Sequence, residues 1–350
     1  MRQRGLFYGW VVLFAAATAV AFGQGSLFSL GVFLKPLEDS MHWSRSAVSV
    51  TALINWTAMG IGSFFWGAVS DRLGGRFVTI AGALLLGLGL VLSPLTRWVT
   101  SLYDWRVAMI VLGDLAWLVV IPVALLVKNA PSDMGAVALG GAATRQRDFS
   151  TAEVLRAPQF WAIALTHFAC CAAHAGPIFH MVTHAIDQGV AAMAAATVLG
   201  VSGLSSIGGR IACGMIADRF GAKPTLLVGL ALQAAMVFSY LFTHDTLSFY
   251  AAAVLFGISY GGVMPLYALL TREYFGEKVM GSAYGAVFLI STLGMGVGSW
   301  AGGFIHDAFG TYAWLFISSG AIGLMAMVLA LTFRAPRLAA LGQPATAGAR

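Results

Sequence analysis

The chain has 350 residues, of which 59% are hydrophobic and only 10% charged, with a formal net charge of +6. A soluble domain carries about a quarter charged residues, so soluble globular classes are excluded. The mean hydropathy of +0.83 comes from long apolar blocks such as 77–95 and 107–127, each long enough as a helix to cross a bilayer core of about 30 Å.

Period-2 alternation is absent, so the backbone must satisfy itself in helices, which defines an all-α, polytopic membrane protein. In chain order, Arg2 and Arg4 precede an apolar run over 10–34. That run is too long for a signal-peptide core and is expected as a retained first helix. Further spans are expected at 47–69, 77–95 and 106–127. Residues 128–157, with Pro131, Gly140, Gly141, Arg145, Arg147 and Arg156, form the one long polar connection. Six spans follow at 159–182, 193–216, 224–242, 248–270, 280–304 and 312–333. The expected organisation is a four-span bundle (1–127), a cytoplasmic linker (128–157), a six-span bundle (158–334) and a disordered Ala/Gly/Pro-rich tail (335–350). Cys170, Cys171 and Cys213 lie inside apolar spans and read as small packing residues.

Ten spans put both termini on one side. With that side cytoplasmic, fifteen Lys and Arg lie inside and four, Lys35, Arg45, Arg97 and Arg106, outside. The bias fits the positive-inside rule, so the basic balance reflects topology at the inner (plasma) membrane and not nucleic-acid binding.

Residues 67–76 read GAVSDRLGGR and residues 214–223 read GMIADRFGAK. Asp71 and Asp218 are 147 residues apart, as are Thr96 and Thr243. Beyond Thr96 the register breaks: Gly113 and Gly320 are 207 apart. The first half is therefore short by roughly 60 residues, or two spans, between Arg97 and Tyr103. Loss of an even number of spans preserves topology. In the repeated phrase, Gly67 and Gly214 permit close helix contact. The glycines after the aspartate allow a tight reversal, and the aspartate can face a helix N-terminus. A third, partial copy, Gly303-xxx-Asp307-xx-Gly310, falls on the outer side.

The doubled phrase resembles the signature of the major facilitator superfamily. It is complete at Gly67, Asp71, Arg72, Gly74, Gly75 and Arg76, and kept in part at Gly214, Asp218, Arg219, Gly221 and Lys223. The resemblance implies a two-bundle transporter fold, here with 4 + 6 helices and without the family's fourth and fifth. It also implies that these residues form a cytoplasmic latch, with Asp71 meeting the 280–304 span. Tyr8-Gly9-Trp10, Gly31 to Leu37, Trp43-Ser44-Arg45 and Gly209-Arg210 are similar to the oxalate:formate antiporter and monocarboxylate transporter branches.

Arg210 is the most informative residue. It lies eight residues before Asp218, about 12 Å along a helix, hence near mid-bilayer. A cation there costs roughly 3 kcal/mol on insertion scales, which favours a cavity-facing, ligand-binding role. Its planar fork matches a carboxylate, and the matching arginine in both related branches binds the substrate anion. The resemblance adds Ser206 and Tyr260 as cavity contacts, Tyr260 reading equally as a packing aromatic. The absence of a lysine from 280–304 leans toward a monocarboxylate. His174 is the proton-coupling candidate, against the plainer reading of a buried structural histidine. Asp114 either pairs with a polar group or is protonated. Glu38, Asp39 and His42 read as solvated loop residues.

No enzyme motif stands in a suitable context, and no metal or cofactor is expected. The expected function is secondary transport (symport or antiport) of a small organic anion by a monomer in the bilayer, proton-coupled or by exchange. The alternatives are a transport-incompetent remnant or membrane assembly partner and, more weakly, drug or sugar efflux.

Overall fold

A computed structural model describes residues 31, 34–35, 37–73, 118 and 149–334, with side chains described to residue 70 in the first block. The expected spans at 77–95 and 106–127, most of that at 10–34, Asp114 and the 335–350 tail lie outside the described residues. The described residues are helical: α1 (Arg45–Leu73), α2 (Thr151–Arg156), α3 (Pro158–Asp187), α4 (Ala192–Phe220), α5 (Ala222–Ser239), α6 (Thr246–Phe275), α7 (Met280–Phe309) and α8 (Ala313–Leu331). Among them, seven helices are long and apolar enough to cross a membrane, and each coincides with an expected span.

The helices outrun the hydropathy pattern. At 30 residues each, α3, α6 and α7 measure about 45 Å at 1.5 Å per residue, against about 30 Å of hydrocarbon. That excess length is enough to carry their ends beyond the hydrocarbon, where local caps can end a helix. Asp245 caps α6 by accepting from the Leu247 and Ser248 amides, and these bonds hold its carboxyl below the usual carboxylate range. Gly276 and Gly310, both at positive φ, end α6 and α7.

The C-terminal end of the 128–157 connection is ordered as α2, not as linker. Its signal is a capping box: Ser150 Oγ accepts from the Glu153 amide while Glu153 accepts from the Ser150 amide. Val154 of this short helix is fully buried, and Phe149 packs edge-to-face on Phe275, with ring centroids 5.7 Å apart.

α3 stands inside the assembly, with every residue from 169 to 185 buried. α7 lies against it through Gly294 and Gly298, where a Cβ would meet the Phe168 and Ala172 carbonyls. α1 runs antiparallel along the other side of α7. Gly303 of α7 meets the Arg45 backbone at one end, and Gly67 of α1 meets the Gly281 carbonyl at the other. α4 and α6 form a second close pair, with Gly257 and Gly261 of α6 against Ser202 and Ser206 of α4. α5 and α8 pack beside α6 and α3, respectively, and against each other. At these crossings the helices approach at backbone distance because a hydrogen replaces a side chain, which is how association is driven in lipid.

A bulky residue at such a crossing is expected to overpack it. Gly298→Val should lower thermal stability in detergent by about 1–3 kcal/mol. Gly214→Ala, where a Cβ would meet nothing within 4 Å, should not lower it.

Candidate functional site

α4, α6, α3 and α7 bring five polar side chains toward one region. Ser206 and Arg210 lie one turn apart on α4. Ser206 is buried and donates to the Gly203 carbonyl at 2.6 Å. Beside it stands Tyr260, buried on α6. The two meet because Gly261 sets α6 against the Ser206 backbone. The Arg210 side chain is exposed, within electrostatic reach of Tyr260 and of Tyr284 on α7. Among the described residues no carboxylate lies at ion-pair distance from Arg210.

Behind Tyr260, the ring of His174 stacks on it with centroids 5.6 Å apart. His174 Nδ1 is 2.7 Å from the Cys170 carbonyl. A carbonyl only accepts, so Nδ1 carries the proton and Nε2 holds the lone pair in the neutral ring. Gln233 of α5, fully buried, donates through Nε2 to the same carbonyl at 3.3 Å and accepts from the Cys170 thiol at 3.5 Å. Two other histidines of α3 have packing surroundings. His167 stacks on Tyr267 at 3.9 Å, and His184 sits among Phe249, Tyr312 and Phe316.

The sequence brought out Arg210, Ser206, Tyr260 and His174 but missed Tyr284 and Gln233. Neither carries a periodic or motif signal, and their roles arise only from which helices adjoin.

The two latch phrases differ in their surroundings. Gly67 is packed on α7. The side chains of Asp71 and Arg72, and Gly74, Gly75 and Arg76 altogether, lie outside the described residues. In the second copy, a Cβ at Gly214 would meet nothing within 4 Å among the described residues, so the expected close helix contact is not made there by any of them. Asp218 and Arg219 are exposed. Gly221 ends α4 at φ +91. Lys223 donates to the Leu331 and Phe333 carbonyls at 3.0 and 2.7 Å, a cation on the C-terminus of α8. Gly200, Gly203 and Gly208 share the open side of α4, as do Leu204 and Met215 at 71% and 64% exposure. Glu38 and Asp39 are also not simply solvated: Lys35 pairs with both, at 3.2 and 3.1 Å, and Arg45 pairs with Glu38 at 3.2 Å.

Long apolar helices packed through glycine around buried polar groups define a multi-pass helical membrane protein. The chain belongs to the Major Facilitator Superfamily, whose family model matches it over residues 90–299 and again over 214–349. It is 24% identical over 342 residues to the uncharacterized MFS-type transporter YhjX of Escherichia coli, covering 84% of this chain and 82% of that protein. It is 27% identical over 392 residues to human monocarboxylate transporter 11, covering 90% of this chain and 80% of the relative. Among solved structures, it superposes on the nucleoside transporter NupG with a TM-score of 0.58 at 10% identity, covering 93% of this chain and all of that one. For the fucose:proton symporter FucP of Escherichia coli the TM-score is 0.50 at 15% identity, over 94% and 97%. These relatives and neighbours are transporters, not enzymes.

Gln233 supplies a test of the polar layer. Gln233→Leu strands the Cys170 thiol and removes a donor from its carbonyl, so unfolding in detergent should become easier by about 1–3 kcal/mol.

Proposed function

We propose that this transporter is a secondary carrier of a small organic anion, a monocarboxylate in preference to a dicarboxylate, working by alternating access in the inner membrane with both termini cytoplasmic. The observation that carries this reading is Arg210. It is an exposed guanidinium well inside an apolar helix, within electrostatic reach of Tyr260 and Tyr284, with no carboxylate at ion-pair distance among the described residues. A guanidinium in such a place is stabilised by a transient anion, which it holds bidentately. The likeness to relatives named monocarboxylate transporters supports the same substrate class.

In this reading Ser206 and Tyr260 orient the carboxylate. His174, its Nε2 free to accept a proton while Nδ1 is engaged, serves proton coupling. Exchange of one anion for another is the other mode. The two bundles, 1–127 and 158–334, rock about the site, and the two DRxG phrases fasten the cytoplasmic side. No cofactor or metal is involved.

A second reading is favoured by specific observations. The alignment to human monocarboxylate transporter 11 runs over 392 positions, more than the 350 residues of this chain, so it holds gaps opposite it. This accords with the break in the internal repeat after Thr96. A chain lacking the family's fourth and fifth helices would be a transport-incompetent remnant or an assembly partner.

Uptake of labelled lactate, formate or pyruvate into proteoliposomes separates the two. The carrier reading expects uptake that falls about tenfold or more in Arg210→Gln, for a loss of 1.4 kcal/mol or more in anion binding. The cognate anion at about 100 times its Kd should raise wild-type stability by about 2.7 kcal/mol and leave Arg210→Gln unshifted. Uptake absent from wild type, and restored by grafting a helix pair between Arg97 and Tyr103, would establish the remnant instead.

A further inference from the structure

At the end of α1 remote from Gly67, Arg45 is the hub of a buried polar cluster. Its guanidinium, 5% exposed, grips both oxygens of Asp187 at the end of α3, at 2.5 and 3.0 Å. Nη1 also donates to the Tyr312 hydroxyl at 2.9 Å, and Nε donates to Glu38. Tyr312 Oη lies 3.1 Å from His180 Nδ1, and His180 Nε2 lies 2.9 Å from the Ser299 carbonyl. The carbonyl fixes every direction: Nε2 donates, Nδ1 accepts, and the tyrosine passes a hydrogen bond from Arg45 to His180. His306 Nε2 stands 3.7 Å from Asp187.

The main chain is fastened at the same place. Asp307 of α7 accepts from the Arg45 and Ser46 amides at 3.2 and 2.9 Å, an anion on the N-terminus of α1. One turn earlier, Gly303 lets α7 touch the Arg45 carbonyl, and Gly310, at φ +67, reverses the chain. The third, partial copy of the repeated phrase thus builds a close contact, a capped helix and a tight reversal at the opposite end of the helices from the first two.

We propose that this cluster is the outer gate of the transporter, the fastening between the 1–127 and 158–334 segments that must part for the outer face to open. Arg45 comes from the first segment, whereas Asp187, His180, Ser299, Asp307 and Tyr312 all come from the second. The carboxylates are the more accessible partners, with Asp187 30% and Glu38 25% exposed. Opening therefore exchanges ion pairs for hydration of the same charges, which allows two states of similar free energy. Closing without a partner leaves a charge buried and unpaired. The proposal rests on the two-segment reading and on alternating access, but not on the identity of the solute.

Double electron–electron resonance tests it on the full chain. Spin labels go at Trp43→Cys and Gln188→Cys on the outer side, and at Ser70→Cys and Glu277→Cys on the inner side, in a Cys213→Ser background where Cys170 and Cys171 are buried. Arg45→Gln and Asp187→Asn are each expected to raise the long-distance outer population about tenfold, while the inner pair stays narrow or shortens. Glu38→Gln should do less, because Arg45 keeps Asp187 and Tyr312. The double variant should add little to the larger single effect, as expected of one shared interaction. An unchanged outer distribution in folded Arg45→Gln and Asp187→Asn protein overturns the proposal. So does equal broadening at both ends, which would mark a purely structural role. Should Arg45→Gln fail to fold, Asp187→Asn, which keeps the side-chain shape, decides alone. Because the readout is a distance and not uptake, failure here leaves the anion-carrier reading standing, and loss of that reading leaves the gate testable.

Discussion

Close backbone approach between helices is the interaction on which this structure depends. In a bilayer, a leucine facing a neighbouring helix is no better buried than one facing lipid, so helices associate by contact, packing and hydrogen bonding rather than by withdrawal from water. α7 illustrates the consequence. Gly294 and Gly298 set it on carbonyls of α3, while Gly285, Gly296 and Gly303 set its other side on α1. One helix is thereby held on two faces by positions with no side chain. The contact of Ser206 with α6 and that of Asp307 with the N-terminus of α1 each sit beside such a crossing, at Gly261 and Gly303.

Against that packing, polar side chains in the helices divide into two kinds. Some are saturated. The Arg45–Tyr312–His180–Ser299 series uses each donor and acceptor in a fixed direction, and Gln233 binds Cys170 at both thiol and carbonyl. Arg210 is different. It is exposed, and among the described residues the groups in its electrostatic reach are two tyrosines, with no carboxylate at ion-pair distance. A saturated group specifies how helices dock; a cation without a fixed counterion is available to a solute. That contrast separates a fastening from a candidate binding site within one family of transporters.

The glycine–aspartate phrase shows one local device serving unlike places. Small residue, then an acid one turn on, then a glycine reversal is a compact way to press one helix end against another. At Asp307 the full arrangement is present, on the N-terminus of α1. At Asp218 the acid is exposed, Gly214 meets no neighbour among the described residues, and the cation of the phrase, Lys223, instead holds the end of α8. The local sequence builds the device, and the neighbouring helix decides whether it closes on anything.

Much of the fold was legible in the residues themselves. Hydropathy is a property of consecutive positions, so the seven described membrane helices stood where unbroken apolar runs place them, and the doubled DRxG phrase carried the family. Arg210 stood out because a charge within an apolar run is costly wherever that run packs. What the sequence alone could not decide were pairings between distant positions. Arg45 meets Asp187, Asp307 and Tyr312 across 142, 262 and 267 residues, and Glu38 reads as an ordinary loop acid until that arginine is beside it. Tyr284 likewise comes within electrostatic reach of Arg210 only through the assembly of the helices. Helix formation follows from local chemistry, whereas which helix faces which is set by the summed fit of surfaces across the whole assembly, and only the tertiary structure reports that sum.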